Sequence, residues 1–318
     1  MKRLCIIGAT PESSFVGGVT IHVQRLLQGL KARGVRFEFA DYKKIGVPRT
    51  CLFILHRRGC VHIHVTNPYL LLIFVVCCKL SLSRCLFTLH ANHGRFAGFK
   101  NLCLSVAMRM ADVPILINKH SYEVYRNYNK QATYIPAFIP PIDERPLSTE
   151  IKTILASCKS KGLPIVSTNA SKTAVDKYGN DIYGMDFLIS YFSDHQDYVL
   201  LISDPKGGYK TKHSPVPDNV VFIDQPHSYY ELLKNVDIFV RNTSTDGDAL
   251  SVKEALYLGL PTLCSDVVDR PKGSILFKYG DESSFSQALA DGIKPDALDR
   301  NKREQCDVIE ALINLYNN

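Results

Sequence analysis

Short apolar runs recur along this chain, separated by segments long enough to hold a helix. Arg3–Gly8 is predicted to be the first strand. A helix follows with Val19, Val23, Leu26, Leu27 and Leu30 on one face, and Gly34 closes it. Val35–Ala40, Val61–Val65, Cys85–Leu89 and Val113–Ile117 continue the strand series. The stretch Ile135–Pro146 interrupts it with Pro136, Pro140, Pro141 and Pro146. Proline lacks the N–H that a ladder or a helix interior needs, so this stretch predicts a linker. Strands then resume at Leu163–Thr168, Tyr198–Ile202, Val220–Ile223, Asp237–Val240 and Thr262–Cys264. Helices are predicted near Met185–Ser193, Tyr229–Lys234 and Asp248–Leu258, with a last one from Asn301 to about Tyr316. Strands spaced by helix-length segments form βαβ units and parallel sheets. The fold expected is therefore α/β, in two doubly wound domains facing a cleft: residues 1–138 and 139–318, with the final helix free to pack back on the first. At 318 residues and 46% hydrophobic content the chain can build two cores.

Charge divides the chain unevenly. Residues 1–140 hold 19 Lys and Arg against 5 Asp and Glu, while residues 141–318 hold 19 against 26. A basic first half suits an anionic partner such as a lipid headgroup or phosphate. The run Tyr69–Cys78 is apolar throughout but only ten residues long, half of what a spanning helix needs. It reads as a buried helix or, flanked by Arg57, Arg58, Lys79 and Arg84, as a shallow membrane contact. The first apolar run is too short for a secretory leader, so the ten cysteines are expected to be free thiols in a reducing compartment. No C-x-x-C spacing supports zinc, and no metal is expected. Trp is absent and no nucleic-acid-binding signature occurs.

The segment 237–266, DIFVRNTSTDGDALSVKEALYLGLPTLCSD, carries the chemistry. A strand ends near Val240, and a polar loop runs from Asn242 to Gly247. A helix then opens, with Asp246 or Asp248 as its expected cap; Gly259 ends it and Pro261 prevents its continuation. Free backbone N–H groups at a helix start, beyond a strand's carboxyl end, suit nucleotide phosphates. Asp246 and Glu254 flank that start and can accept hydrogen bonds from sugar or ribose hydroxyls. The pattern Asp246-x7-Glu254-Ala255, then Gly259 and Pro261, resembles the family 4 (group 1) retaining glycosyltransferases of the GT-B fold, with Asp where the family's first acid is Glu. It also looks like their polysaccharide and O-antigen subgroup. The resemblance implies two Rossmann-like domains. It places Glu254 on the donor ribose and Asp246 on the donor sugar, with Thr243, Gly247, Asp248, Ala249 and Leu250 lining the donor.

In the first half, Gly17-Gly18 precede a helix start and allow positive φ and close approach of an anion. The resemblance puts this pair at the donor phosphates or the acceptor. His90 ends the strand Phe87-Thr88-Leu89-His90, where the family often holds a histidine near the reacting sugar; His93 and Arg95 follow in the same loop. The family's usual Arg and Lys-Gly for the pyrophosphate have no clear match, since Gly184 follows Tyr183. Lys172, Lys177, Arg241 and Arg270 are the candidates to replace them. Arg241 and Arg270 are favoured for following strand ends and for forked phosphate binding.

The function implied is retaining transfer of a sugar from a nucleotide-diphosphate donor, UDP or GDP type, to a saccharide acceptor. No separate cofactor is implied. A lipid-linked acceptor in lipopolysaccharide or capsule synthesis would place the enzyme at the inner face of the cytoplasmic membrane. The rivals are a sugar-nucleotide epimerase of the same fold and a non-catalytic partner subunit.

Overall fold

The computed structural model describes residues 3–13, 17–91, 93–142, 145–170, 172–176, 179, 181–246, 249–294 and 307–317. It divides into two compact units, Met1–Ile142 with Gln305–Asn318, and Asp143–Glu304.

Unit 1 runs β1 (Leu4–Gly8), α1 (Gly18–Ala32), β2 (Phe37–Asp41), α2 (Tyr42–Ile45), α3 (Val47–Leu55), β3 (Cys60–Ile63), α4 (Pro68–Leu80), β4 (Arg84–Leu89), α5 (Gly98–Met110), β5 (Val113–Leu116), α6 (Lys119–Tyr125) and β6 (Thr133–Tyr134). Unit 2 runs α7 (Thr149–Ser160), β7 (Ile165–Asn169), α8 (Met185–Asp194), β8 (Val199–Ser203), α9 (Gly208–Lys212), β9 (Val220–Ile223), α10 (Tyr229–Leu233), β10 (Ile238–Arg241), α11 (Leu250–Tyr257), β11 (Thr262–Ser265), β12 (Ile275–Phe277) and α12 (Glu282–Ile293). The last helix, α13 (Val308–Asn317), belongs to unit 1.

Each unit is built on a six-stranded sheet, ordered β2-β1-β3-β4-β5-β6 in unit 1 and β12-β11-β10-β7-β8-β9 in unit 2. Every pairing in both sheets is parallel. A right-handed crossover puts its helix on a face set by the direction of travel across the sheet. The chain moves one way from β1 to β2 and the other way from β2 through β5. Hence α1 covers one face, and α3, α4 and α5 cover the other. The two cores of unit 1 follow this division. Leu4 and Ile6 of β1 pack with Leu26 and Leu30 of α1, while Cys5 and Ile7 pack with Ile54 of α3, Phe74 of α4 and Leu104 of α5.

Two expectations change in detail. The proline-dense stretch is not free chain along its length. Ile135, Ala137 and Ile139 are buried, and the Ala137 carbonyl accepts a 2.7 Å bond from His22 Nδ1 on α1. The last helix starts at Val308; the start expected at Asn301 lies outside the described residues. It packs on α1 because Gly29 presents no side chain there. A Cβ on Gly29 would stand 2.6 Å from Ile309. Arg33 ties the same pair of helices through Asp307, and Tyr316 Oη meets His62 Nδ1 at 2.7 Å.

Candidate functional site at the carboxyl edges of the sheets

In unit 2 the strand order reverses at β7, which has β8 on one side and β10 on the other. Ligands of doubly wound sheets bind at such a point, beyond the carboxyl ends of the strands. Arg241 is the last residue of β10, and its Nη1 reaches the Asn169 carbonyl at the end of β7, 3.3 Å away. Arg241 holds Asp246 in a fork, Nε to Oδ2 at 2.9 Å and Nη2 to Oδ1 at 3.1 Å. Arg270 adds Nη1 to the same Oδ2 at 2.8 Å. Its remaining donors go to the Ser265 carbonyl at 2.9 Å, Thr243 Oγ1 at 3.0 Å and Ser265 Oγ at 3.1 Å. The Arg270 and Asp246 side chains are only 2% and 7% exposed.

This arrangement corrects two expectations. Asp246 is the shared counter-charge of two arginines rather than an open acceptor for sugar hydroxyls. Arg241 and Arg270 are correspondingly committed to it. Burial opposes charge on Asp246 and Arg241, yet the mutual field prevails: the Asp246 pKa is lowered and the Arg241 pKa raised. One carboxylate against two guanidiniums leaves the triad with an excess positive charge in a poorly solvated place. Such a charge is costly to bury alone and attracts a further anion.

Thr243 is buried too, its N–H on Ser265 Oγ at 3.1 Å, so it braces the loop. The expected Asp246 or Asp248 cap is not what opens α11. Its N-cap is Ala249, with no side-chain cap, and Leu250 is the first helical residue. Gly247 and Asp248 lie outside the described residues, as does Lys177, whereas Lys172 is exposed. Glu254, one turn into α11, is 4% exposed. Its charge and that of Arg241 are both felt at the Tyr229 hydroxyl, which shares a 3.0 Å bond with Ser167 Oγ. Gly184 caps α8 at φ +57, and a Cβ there would lie 2.3 Å from Asn242 Nδ2. Asn242 in turn donates to the Gly184 carbonyl at 3.1 Å, which fixes the start of α8 against the end of β10.

In unit 1 the order reverses between β1 and β3. Gly17 is the N-cap of α1 at φ −162, an extended conformation open to any residue. Neither Gly17 nor Gly18 has positive φ, so that part of the expectation is corrected. A Cβ on either would meet nothing within 4 Å, so no neighbour in the fold requires glycine there. Beside this loop His22, His64 and His90 each bring a ring nitrogen within 4.8 Å of the others, the one such group among the described residues able to ligate a metal. The Ala137 carbonyl can only accept, so His22 Nδ1 carries a proton. His64 Nδ1 and His90 Nε2 share one proton at 3.1 Å, and buried His64 Nε2 has no partner among the described residues. Burial, then the neighbouring imidazoles, hold His64 and His90 well below the ordinary histidine pKa, and His62 at about 3. The His62, His64 and His90 rings are neutral at physiological pH and offer hydrogen bonds without charge.

His22 and His64 were not among the sequence candidates. A His-x-His pair in an otherwise apolar strand, His62 and His64, was the available signal. His93 stands apart, exposed, with its backbone N–H on Ser121 Oγ.

Over 99% of its length the chain superposes on a glycosyltransferase from Rickettsia africae, with TM-score 0.65 and 11% identity, covering 98% of that chain. The chain has the GT-B fold. The lipopolysaccharide outer core galactosyltransferase WaaB is similar at TM-score 0.57 and 13% identity, with 98% of each chain covered. A UDP-GlcNAc 2-epimerase from Methanocaldococcus jannaschii is similar at TM-score 0.65 and 9% identity, covering 100% of this chain and 99% of that one. Neither a family model nor a curated protein matches the sequence. The GT-B fold thus hosts both transferases and an epimerase, and residues must decide between them.

Proposed function

We propose that this protein is a retaining glycosyltransferase that takes a sugar from a nucleotide-diphosphate donor, UDP or GDP type, and adds it to a saccharide acceptor. The reading extends to a lipid-linked acceptor in lipopolysaccharide or capsule synthesis, with the protein peripheral at the inner face of the cytoplasmic membrane. The observation that carries it is the Arg241–Asp246–Arg270 triad at the reversal point of unit 2. Departure of a nucleoside diphosphate builds negative charge on the leaving oxygen. Preorganised cations in a water-poor site lower the cost of that charge. Asp246 acts as a positioning residue, holding both guanidiniums in place. Glu254 is assigned the ribose hydroxyls and the uncapped start of α11 the phosphates. His90, neutral and joined to His64, is assigned hydroxyls of the donor sugar or acceptor. The positive excess of the triad serves an anionic leaving group. Epimerisation of a UDP-sugar also forms such a group, so the acceptor separates the two reactions.

The test supplies nucleotide sugars with and without a lipid-linked saccharide and follows both the released nucleoside diphosphate and the anomeric configuration of the product. Acceptor-dependent release with an unchanged anomeric configuration is expected. Interconversion of the free donor without an acceptor would establish the epimerase instead.

A further inference from the structure

We propose that the outer face of α3, α4 and α5 docks on an anionic lipid bilayer, lying in the plane of the headgroups. The proposal deepens the reading of a lipid-linked acceptor, and rests on it, by naming the surface that meets the membrane.

The three helices form one layer on one face of the unit 1 sheet. α4 is apolar on every side. Leu71, Phe74, Val75 and Cys78 enter the core, while Tyr69, Ile73, Val76 and Leu80 repeat at helical spacing on the opposite side and are exposed. Leu80 is 71% exposed, and Leu82, two residues beyond, is 80% exposed. Leu52 and Leu55 on α3 and Phe99 and Leu102 on α5 are exposed as well. The Tyr69 and Phe99 rings stand 5.9 Å apart, which joins the α4 and α5 parts of the patch. Single exposed hydrophobes are ordinary, but a patch spread over three neighbouring helices calls for a partner.

Leu82 also sits at φ +57, a conformation that favours glycine. Its backbone N–H bonds the Lys79 carbonyl at 3.1 Å, while its side chain stands in solvent.

Charge identifies the partner. Residues 42–111 contain ten Lys and Arg and not one Asp or Glu. Arg49 and Arg58 on and after α3, and Lys100 and Arg109 on α5, are exposed around the patch. Asp112, just after α5, pairs with Lys79 and Glu38 pairs with Arg57, while Arg49, Arg58, Lys100 and Arg109 border the apolar stripe, the pattern of a helix layer seated at an anionic interface. A protein surface would have to be both apolar and strongly acidic to match it. Among the described residues no helix is long and apolar enough to cross a membrane, so the contact lies in the plane.

The chain has no tryptophan, so one introduced tryptophan reports one place. Leu80→Trp should shift its emission to the blue on adding vesicles of phosphatidylcholine and phosphatidylglycerol, and Leu276→Trp in unit 2 should not. The wild-type protein should sediment with those vesicles and release several-fold as salt rises from 0.1 to 0.5 M. The double variant Ile73→Asp/Leu80→Asp should partition at least tenfold less, with an unchanged melting temperature because both residues face solvent. Three results would overturn the proposal: no sedimentation of the wild type, unchanged partition of the double variant, or a solution dimer that the double variant dissociates while vesicle binding persists. Nucleotide-sugar binding, measured on the same variants, reports separately on the functional reading and should not change.

Discussion

The two sheets share a topology, yet their carboxyl edges are built from opposite materials. Unit 2 places two guanidiniums and a carboxylate at its reversal point, all deeply buried and all charged. Unit 1 places three imidazoles at its own, and burial keeps those of His64 and His90 uncharged. Topology therefore fixes where each site lies, and the side chains fix what it can hold. The charged edge suits a phosphate-bearing group that gains negative charge. The neutral edge suits hydroxyls, which need donors and acceptors rather than a field. The outer surfaces differ as well, since the α3–α5 layer of unit 1 has cations and apolar residues but no acids.

The sharpest way to break this contrast is Asp246→Ala, which leaves two buried guanidiniums without their counter-charge. Removing one partner of a buried ion pair typically costs about 3–5 kcal/mol. Denaturant unfolding should show that loss in unit 2 while hydrogen exchange in unit 1 stays as in the wild type. Equal loosening of both units would refute the account of the triad.

Acidification should act on the other unit. His62, His64 and His90 have folded pKa values below the unfolded value, so the unfolded chain binds more protons in acid. Their stabilising contribution is complete above about pH 6.5 and is lost as pH falls toward the folded values. His62, held at about 3, forfeits ~2.3 kcal/mol between pH 6.5 and 4.5, and His64 and His90 act in the same direction. Unit 2 has His227 shifted in the same direction, and the lowered pKa of Asp246 matters only below its ordinary value of 3.8. Hydrogen exchange followed against pH should therefore show unit 1 opening first. Earlier opening of unit 2 would contradict the neutral-histidine assignment.

A smaller effect is expected from Gly184→Ala, at about 1–3 kcal/mol for a side chain forced to φ +57 against Asn242. Hydrogen exchange should rise first at the start of α8. No change there would mean that Asn242 moves aside freely.

Much of this architecture is legible in the sequence because parallel strands, buried on both faces, appear as continuous apolar runs. Those runs located all but two of the strands. The exceptions, Thr133–Tyr134 and Ile275–Phe277, are edge strands of two and three residues, too short to give a period. The loop and helix that carry Asp246 and Glu254 were legible from Gly259, Pro261 and the acids themselves. Their partners were not. Asp246 looked like a helix cap because a sequence cannot reveal that Arg241, five residues back, and Arg270, after another strand, converge on it. His22 was likewise hidden in a helix whose apolar spacing explained everything around it. Its neighbours His64 and His90 come from two other segments.

The central claim is that unit 2 binds a nucleotide-diphosphate sugar through Glu254 and the excess charge of the triad. Thermal unfolding in the presence of a panel of nucleotide sugars tests it most directly. One donor should raise stability by about 2.7 kcal/mol at a hundred times its Kd, and the gain should shrink in Glu254→Gln and in Arg270→Lys. Indifference to every nucleotide sugar, or an undiminished gain in both variants, would contradict it.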